Sequence, residues 1–166
     1  MRGYLSSTYL VALGSNRRHH RYGPPANVVR AAMEELAVLG TVTARSAIRA
    51  TPPMGPSRRW FANAAVVIES QLDPEAMLAG LQHVEHEFGR RKWRRWGDRV
   101  LDLDLILWSG GSFASKALII PHAGLPGRDF VLRPAREIAG GWKDPASGLS
   151  LAHLAARLTK KKGQPR

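Results

Sequence analysis

Cysteine is missing from this 166-residue sequence, and its absence excludes two classes of site. Without a cysteine sulfur, neither a disulfide nor a thiolate metal centre can form. Any bound metal ion must therefore be held by carboxylates or histidines.

Long apolar runs are missing as well. The N-terminus does not combine a basic start with an apolar stretch, and no segment approaches the roughly 20 apolar residues that a membrane-spanning helix needs. We therefore expect a cytoplasmic protein with no membrane partner. The hydrophobic content of 44% and the charged content of 23% are typical of a globular chain, and the length fits one domain over residues 1–166.

Acidic residues are scarce, because 13 Asp and Glu stand against 25 Lys and Arg, and the formal net charge is +12. Such an excess indicates a polyanionic partner, which can be a nucleotide, a nucleic acid or a membrane surface. The positive residues cluster at 17–21, 58–59, 90–99 and 160–162. We expect the last cluster, in a basic tail over residues 159–166, to be a solvated terminus.

The segment 101–108 has the alternating pattern of a β-strand and contains two carboxylates. Asp102 and Asp104 fall on one face, with their Cα atoms roughly 6.5–7 Å apart, and the apolar Ile106 and Trp108 continue that face. The opposite face is expected to carry four leucines: Leu101, Leu103, Leu105 and Leu107.

Two interpretations of these carboxylates remain open on the residues alone. Neighbouring carboxylates on a half-buried strand repel each other, and a Mg²⁺ ion would relieve the repulsion while keeping positions for phosphate oxygens. Alternatively, the strand is an exposed edge whose acids pair with the arginines just upstream, Arg94, Arg95 and Arg99.

Hydrophobic periodicity predicts an α+β domain with helices packed on a mostly antiparallel sheet. The predicted strands cover residues 9–13, 41–48, 63–68, 101–108 and 117–122. The predicted helices cover residues 29–39, 73–88, 130–139 and 151–158, and Asp73 is the expected capping residue of the second. Residues 14–16 are predicted to form a turn, and the three prolines in 51–56 a stiff irregular loop.

Several short motifs occur together in a recognisable order. They are Leu-Gly-Ser-Asn at 13–16, Thr-Pro-Pro-Met-Gly-Pro at 51–56, Phe-Ala-Asn-Ala-Ala at 61–65, Glu85 with Gly89-Arg90, Arg-Trp-Gly-Asp-Arg-Val-Leu-Asp-Leu-Asp at 95–104, and Pro121-His122 with Arg-Asp-Phe-Val-Leu at 128–132. Through these motifs the chain resembles the 6-hydroxymethyl-7,8-dihydropterin pyrophosphokinases of the folate pathway. The resemblance covers residues of about 8 to 158.

The resemblance implies an enzyme with a ferredoxin-like α/β sandwich fold. Its activity would be the transfer of pyrophosphate from ATP, the co-substrate, to the hydroxymethyl group of the pterin, with release of AMP. Its partners would be these small molecules, and we expect a monomer without a nucleic-acid partner.

The resemblance also assigns the site residues by position. Asp102 and Asp104 would hold two Mg²⁺ ions, and Arg90 and Arg99 would act with them in catalysis. The nucleotide side would be lined by Glu85, Arg90, Arg99, His122 and Arg128. The pterin would stack between Phe61 and Phe130, and its polar edge would meet Asn63 and the backbone of Thr51 and Met54.

The chain departs from the usual family pattern near the substrate loops. Ile48, Arg49 and Ala50 stand where a Tyr followed by Glu or Arg is usual, Arg58 and Arg59 replace Gln-Pro, and Lys92 replaces an arginine. The basic segment 17–25 has no assigned role. Two other functions stay open: a basic RNA-binding α+β module and a Mg²⁺-dependent phosphodiesterase that uses Asp102 and Asp104.

Overall fold

The computed structural model describes residues 5–53, 58–89 and 100–163. The strands in these residues are β1 (Ser7–Ser15), β2 (Thr41–Arg45), β3 (Arg49–Thr51), β4 (Phe61–Ser70), β5 (Asp102–Trp108), β6 (Phe113–Ala114) and β7 (Ile119–Ile120). The α-helices are α1 (Pro25–Glu35), α2 (Pro74–Glu87), α3 (Asp129–Ala139) and α4 (Leu151–Gly163), and two short 3₁₀ helices cover Leu36–Leu39 and Leu125–Gly127. Among these residues, no helix has the length and apolar character that crossing a membrane requires.

The main sheet has the order β2-β4-β1-β5, and β3 also pairs with β4. Every pairing in it is antiparallel. This confirms the predicted α+β class and the predicted antiparallel sheet. The strand predicted over residues 117–122 is shorter than expected, because β7 ends before Pro121, which has no backbone N–H to donate.

Helices cover both faces of the sheet, and each side has its own apolar core. The first core cluster joins the sheet to α1 and α2 through residues such as Val29, Met33 and Leu81. The second joins it to α3 and α4 through residues such as Leu132 and Leu154. The central strand β1 is buried on both faces along Tyr9–Leu13, which explains its unbroken apolar sequence.

A β-bulge in β5 changes which side chains share a face. Val11 pairs with Leu105, but Leu10, which precedes Val11, pairs with Leu107. Ile106 is therefore an extra residue in β5. Leu101, Leu103 and Leu105 belong to the first core cluster, whereas Ile106 and Leu107 both belong to the second.

The bulge makes two sequence expectations wrong. Leu107 does not share a face with the other three leucines, and Trp108 packs against the first cluster instead of continuing the face of the carboxylates. Alternation alone could not reveal this, because one extra residue reverses the direction of every later side chain. Ile106 does lie on the expected side.

Element ends also differ from expectation. β1 continues through Gly14 and Ser15, so these residues are strand and not the predicted turn. Thr51 belongs to β3 instead of an irregular loop. At the other end of the chain, α4 continues to Gly163 and so includes the three lysines, which are exposed as expected. Lys162 Nζ lies 3.3 Å from Asp129 Oδ2 on α3.

The start of α2 gives a test of local stability. Asp73 Oδ1 accepts a hydrogen bond of 2.8 Å from the backbone N–H of Ala76, and Pro74 occupies the first helical turn, as the sequence predicted. We expect Asp73→Ala to lower the free energy of unfolding by about 1 kcal/mol, because the cap is lost. Asp73→Ser, which can still cap, should stay near the wild-type value. Urea unfolding measures both, and equal stability of Ala and Ser variants would contradict the capping role.

Candidate active site

The sheet brings four of the predicted site residues onto one face. On β4, Phe61 and Asn63 lie on the same side as Ala65, which belongs to the second core cluster. On β5, Asp102 and Asp104 lie on the side of Ile106, which belongs to the same cluster. The predicted aromatic ring, amide and carboxylate pair therefore share the face on which α3 packs.

Gly14 on β1 lies directly between the amide and the carboxylates. It pairs with Asn63 on one side and with Asp102 on the other. In the next row of the same face, Ala12 pairs with both Ala65 and Asp104. Strands are about 4.8 Å apart, so the backbones of Asn63 and Asp102 are separated by roughly 10 Å over a floor of glycine and alanine. A flat ligand can lie there between the amide and the carboxylates.

The amide of Asn63 is held in one orientation. The residue is only 5% exposed, and its Nδ2 donates a 2.6 Å hydrogen bond to Thr51 Oγ1 on β3. A Cβ atom added to Gly14 would lie 3.1 Å from Asn63 Oδ1. The amide oxygen thus faces the glycine floor and can accept hydrogen bonds there. The side chain of Thr51 positions Asn63, a role that sequence reasoning missed; the predicted backbone contact of Thr51 with the pterin stays a prediction.

The carboxylate pair has the character of a site for a hard cation. Asp102 and Asp104 are both partly exposed, and Arg128 Nη1 lies 3.8 Å from Asp104 Oδ2. In the parts of the chain that the structure describes, no group of three or more His, Asp or Glu residues could hold a metal. Two carboxylates suit an ion such as Mg²⁺, which keeps several waters and takes further oxygens from phosphates.

Glu85 occupies a different place from the other site residues. It lies on α2, is only 2% exposed, and its Oε1 accepts a 2.8 Å hydrogen bond from the backbone N–H of Leu103. Because β5 ends the order of the main sheet, its outer backbone edge needs partners other than a strand. Glu85 fixes this edge between Asp102 and Asp104, and its predicted contact with ATP stays a prediction.

His122 and Arg128 lie in the chain before α3, and both contact β5. The backbone N–H of His122 donates to Ile106 O at 3.0 Å, and His122 Nδ1 accepts from Gly124 N–H at 3.0 Å, which places the proton of the neutral ring on Nε2. Arg128 crosses Gly124 so closely that a Cβ atom there would clash with Arg128 Nε. The glycine thus gives the guanidinium room beside Asp104.

The two predicted stacking rings come from different elements. Phe61 opens β4 and Phe130 lies in the first turn of α3, and both are partly exposed. The Arg128 guanidinium lies 5.9 Å from the centre of the Phe130 ring. Among the ring contacts of the described residues, none joins Phe61 to Phe130.

Taken together, the contacts described above bring six of the predicted site residues to one sheet face or its border: Phe61, Asn63, Thr51, Asp102, Asp104 and Arg128. Met54, Arg90 and Arg99 lie outside the described residues.

The histidines of the basic segment form a ring stack. His19 stacks on Tyr22 at 4.8 Å, and Tyr22 stacks on Phe88 of the first core cluster at 5.1 Å. His19 Nδ1 accepts the backbone N–H groups of Arg21 and Tyr22, and burial, followed by the charges of His20 and Arg21, lowers the pKa of His19. The ring of His19 is therefore packed against its neighbours, in a segment to which the sequence analysis assigned no role.

Comparison with known proteins gives a consistent result. Residues 10–140 match the family model of the 7,8-dihydro-6-hydroxymethylpterin-pyrophosphokinases. A 2-amino-4-hydroxy-6-hydroxymethyldihydropteridine pyrophosphokinase of Methylorubrum extorquens is 39% identical over 138 residues, which are 81% of this chain and 84% of the relative. A protein of the same name from Synechocystis is 34% identical over 151 residues, covering 90% of this chain and 75% of the relative.

A solved structure shows the same fold. The crystal structure of Plasmodium falciparum HPPK-DHPS wild type with pteroate superposes with a TM-score of 0.75 and 11% sequence identity. The match covers 95% of this chain but only 45% of the other, so this chain spans less than half of that longer protein. At this identity the likeness concerns the fold alone.

Gly14 gives a test of the floor between the amide and the carboxylates. We expect Gly14→Ala to weaken binding of hydroxymethylpterin roughly three- to tenfold, since displacing an amide that is tied to Thr51 costs on the order of 1 kcal/mol. Calorimetry measures the affinity, and circular dichroism checks the fold. Gly141→Ala is the matched control, because a Cβ at Gly141 meets nothing within 4 Å. An unchanged affinity in the Gly14 variant would show that the ligand and the amide do not need this space.

Proposed function

This chain belongs to the 7,8-dihydro-6-hydroxymethylpterin-pyrophosphokinase family, and from that membership we propose which of its residues carry the family's reaction. The enzyme transfers pyrophosphate from ATP to the hydroxymethyl group of 6-hydroxymethyl-7,8-dihydropterin and releases AMP, a step of folate biosynthesis. It is an ATP-dependent diphosphokinase. Family membership sets aside the RNA-binding and phosphodiesterase alternatives.

The register across three strands is the observation that carries the assignment of the substrate site. The amide of Asn63 and the carboxylate of Asp102 lie on either side of Gly14 in one row of the sheet. A pterin that meets Asn63 through its polar edge would extend its hydroxymethyl group over Gly14 toward the carboxylates. That arrangement would bring the attacking oxygen toward the end of the site where the triphosphate is proposed to bind.

The chemistry is a displacement at phosphorus. The hydroxymethyl oxygen forms a bond to the β-phosphorus of ATP, the bond from that phosphorus to the oxygen shared with the α-phosphate breaks, and AMP leaves with this oxygen while the hydroxyl proton passes to solvent. Such a transfer depends on positioning and on charge stabilisation more than on a general base. Asp102 and Asp104 would hold Mg²⁺, and we propose two ions; bound there, they would offset the charge of the triphosphate.

The remaining residues divide between the two substrates. Phe61 and Phe130 would stack on the pterin, and Asn63, with the backbone of Thr51 and Met54, would contact its edge. Glu85, Arg90, Arg99, His122 and Arg128 would line the nucleotide side, with Arg90 and Arg99 acting on the transferring group. The 3.8 Å approach of Arg128 to Asp104 supports this division, because it puts a cation at the border of the carboxylate site. The roles of Met54, Arg90 and Arg99 are supported by the sequence motifs alone.

We also propose the setting in which the enzyme works. One pyrophosphokinase domain, with its core over residues of about 8 to 158, would act as a monomer in the cytoplasm, where ATP is available. The small-molecule substrates would be its partners.

The metal assignment predicts the behaviour of two isosteric variants. Asp102→Asn and Asp104→Asn should each lower kcat/KM at least about 100-fold, because a neutral amide binds Mg²⁺ poorly while filling the same volume. Calorimetry should also show that Mg²⁺ no longer strengthens binding of a nonhydrolysable ATP analogue. Asp73→Asn, which preserves the cap of α2, is the control and should keep full activity. Turnover that keeps its Mg²⁺ dependence in both site variants would refute the assignment.

The pterin assignment predicts a loss confined to one substrate. Phe130→Leu keeps an apolar side chain but removes the flat ring, so it should weaken pterin binding about tenfold and leave ATP-analogue binding within twofold. Separate titrations of the two ligands measure this. Phe113→Leu, in the two-stranded sheet, is a matched control. Equal losses for both ligands would point to a general disturbance of α3 and not to stacking.

A further inference from the structure

Glu137, near the end of α3, binds two partners that are distant in sequence. Its Oε1 accepts a 2.9 Å hydrogen bond from the backbone N–H of Ala47, and its Oε2 accepts a 3.0 Å hydrogen bond from Arg49 Nη2. Ala47 lies between β2 and β3, and Arg49 is the first residue of β3. One carboxylate thus ties a helix to the edge of the sheet through both of its oxygens.

The strand held by this carboxylate is connected to the pterin-binding residues. Arg49 pairs with Asn63 of β4, and Thr51 pairs with Phe61. Thr51 also accepts the hydrogen bond that orients the Asn63 amide. A shift of β3 would therefore disturb both Phe61 and Asn63.

The helix held by this carboxylate carries the other ring. Phe130 precedes Glu137 by seven residues in α3, which is two turns, so the two side chains leave nearly the same side of the helix. The contacts of Glu137 therefore join the element that carries Phe130 to the strand that supports Phe61 and Asn63. In the pterin site proposed above, these contacts would set the separation of the two elements that carry the stacking rings.

We propose that Glu137 and Arg49 are positioning residues for the pterin: they hold β3 against α3 so that Phe130, Phe61 and Asn63 are correctly spaced before the substrate binds. The proposal rests on the pterin site assigned above. Without this connection, part of the binding free energy would be spent on ordering β3, so affinity for the pterin would fall while the phosphate end of the site stayed intact.

A neighbouring ion pair shows what an ordinary surface contact looks like in this molecule. Arg45 on β2 lies 3.9 Å from Glu34, whose side chain is 74% exposed, compared with 35% for Glu137. Exposed pairs of that kind contribute little.

Glu137 differs because it also accepts a backbone hydrogen bond from Ala47. This bond, followed by the hydrogen bond and charge of Arg49, lowers the pKa of Glu137, so its carboxylate is ionised at neutral pH. Arg49 stands at one of the positions where the chain departs from the usual family sequence.

The test measures the affinity for each ligand separately and removes the contacts of Glu137 together or singly. Glu137→Ala removes both contacts, Glu137→Gln keeps an oxygen for the Ala47 N–H, and Arg49→Ala removes only the guanidinium. Pterin affinity is measured by calorimetry with a saturating nonhydrolysable ATP analogue and Mg²⁺, affinity for the analogue is measured alone, and the single-turnover rate is measured with both substrates saturating. Arg45→Ala and Glu34→Ala are the matched controls.

We expect Glu137→Ala to weaken pterin binding about tenfold, Glu137→Gln and Arg49→Ala about threefold, and Arg49→Lys to restore most of the loss. The affinity for the ATP analogue and the saturating rate should stay within twofold, and the controls should match wild type. If Glu137→Ala does not fold, Glu137→Gln and Arg49→Ala decide the question, because both leave the backbone hydrogen bond possible.

Two results would overturn the positioning role: unchanged pterin affinity in all three variants, or equal losses for pterin and nucleotide. Phe130→Leu distinguishes this failure from failure of the pterin site itself. If Phe130→Leu weakens pterin binding while the Glu137 and Arg49 variants do not, the site stands and the positioning role is wrong. If Phe130→Leu has no effect either, the assigned pterin site is wrong.

Discussion

The register of β1 against both of its neighbours is the constraint on which the site depends. Because β1 is buried on both faces and pairs with β4 on one side and β5 on the other, it can slip against neither without turning apolar side chains out of a core. The same register places Gly14 between Asn63 and Asp102. Packing on both faces of one strand thus fixes the relative position of two polar groups that do not touch each other.

The carboxylates lie on the outermost strand of the main sheet, where a backbone edge would otherwise be held by β1 alone. Two contacts from outside the sheet compensate. Glu85 accepts the N–H of Leu103, and the carbonyl of Ile106 accepts the N–H of His122. The first contact lies between the two aspartates and the second just beyond them. If β5 holds a Mg²⁺ ion as proposed, such support would matter, because ligands gain binding strength when their positions are fixed in advance.

Local patterns predicted the elements that depend on neighbouring residues. The apolar run Tyr9–Leu13, the capping Asp73 and the alternation around Asp102 and Asp104 each express a physical preference within a few residues, and the structure confirms them. The bulge at Ile106 was missed, because an extra residue is defined only by the strand opposite. The partners of Glu137 lie about 90 residues away, and no periodicity connects them. The ordered motifs predicted the family, while the supporting contacts required the three-dimensional structure.

The floor formed by Gly14, Ala12 and Ala65 has a consequence for inhibitor design. A compound that lies on this floor contacts mostly main-chain atoms and methyl groups. A point substitution changes a side chain but does not remove the main-chain atoms that the compound contacts. The simplest resistance change at Gly14 is the addition of a side chain, which would crowd the same amide oxygen of Asn63 that faces the floor. If Asn63 contacts the pterin as proposed, a substitution at Gly14 that weakened the inhibitor would also weaken the substrate.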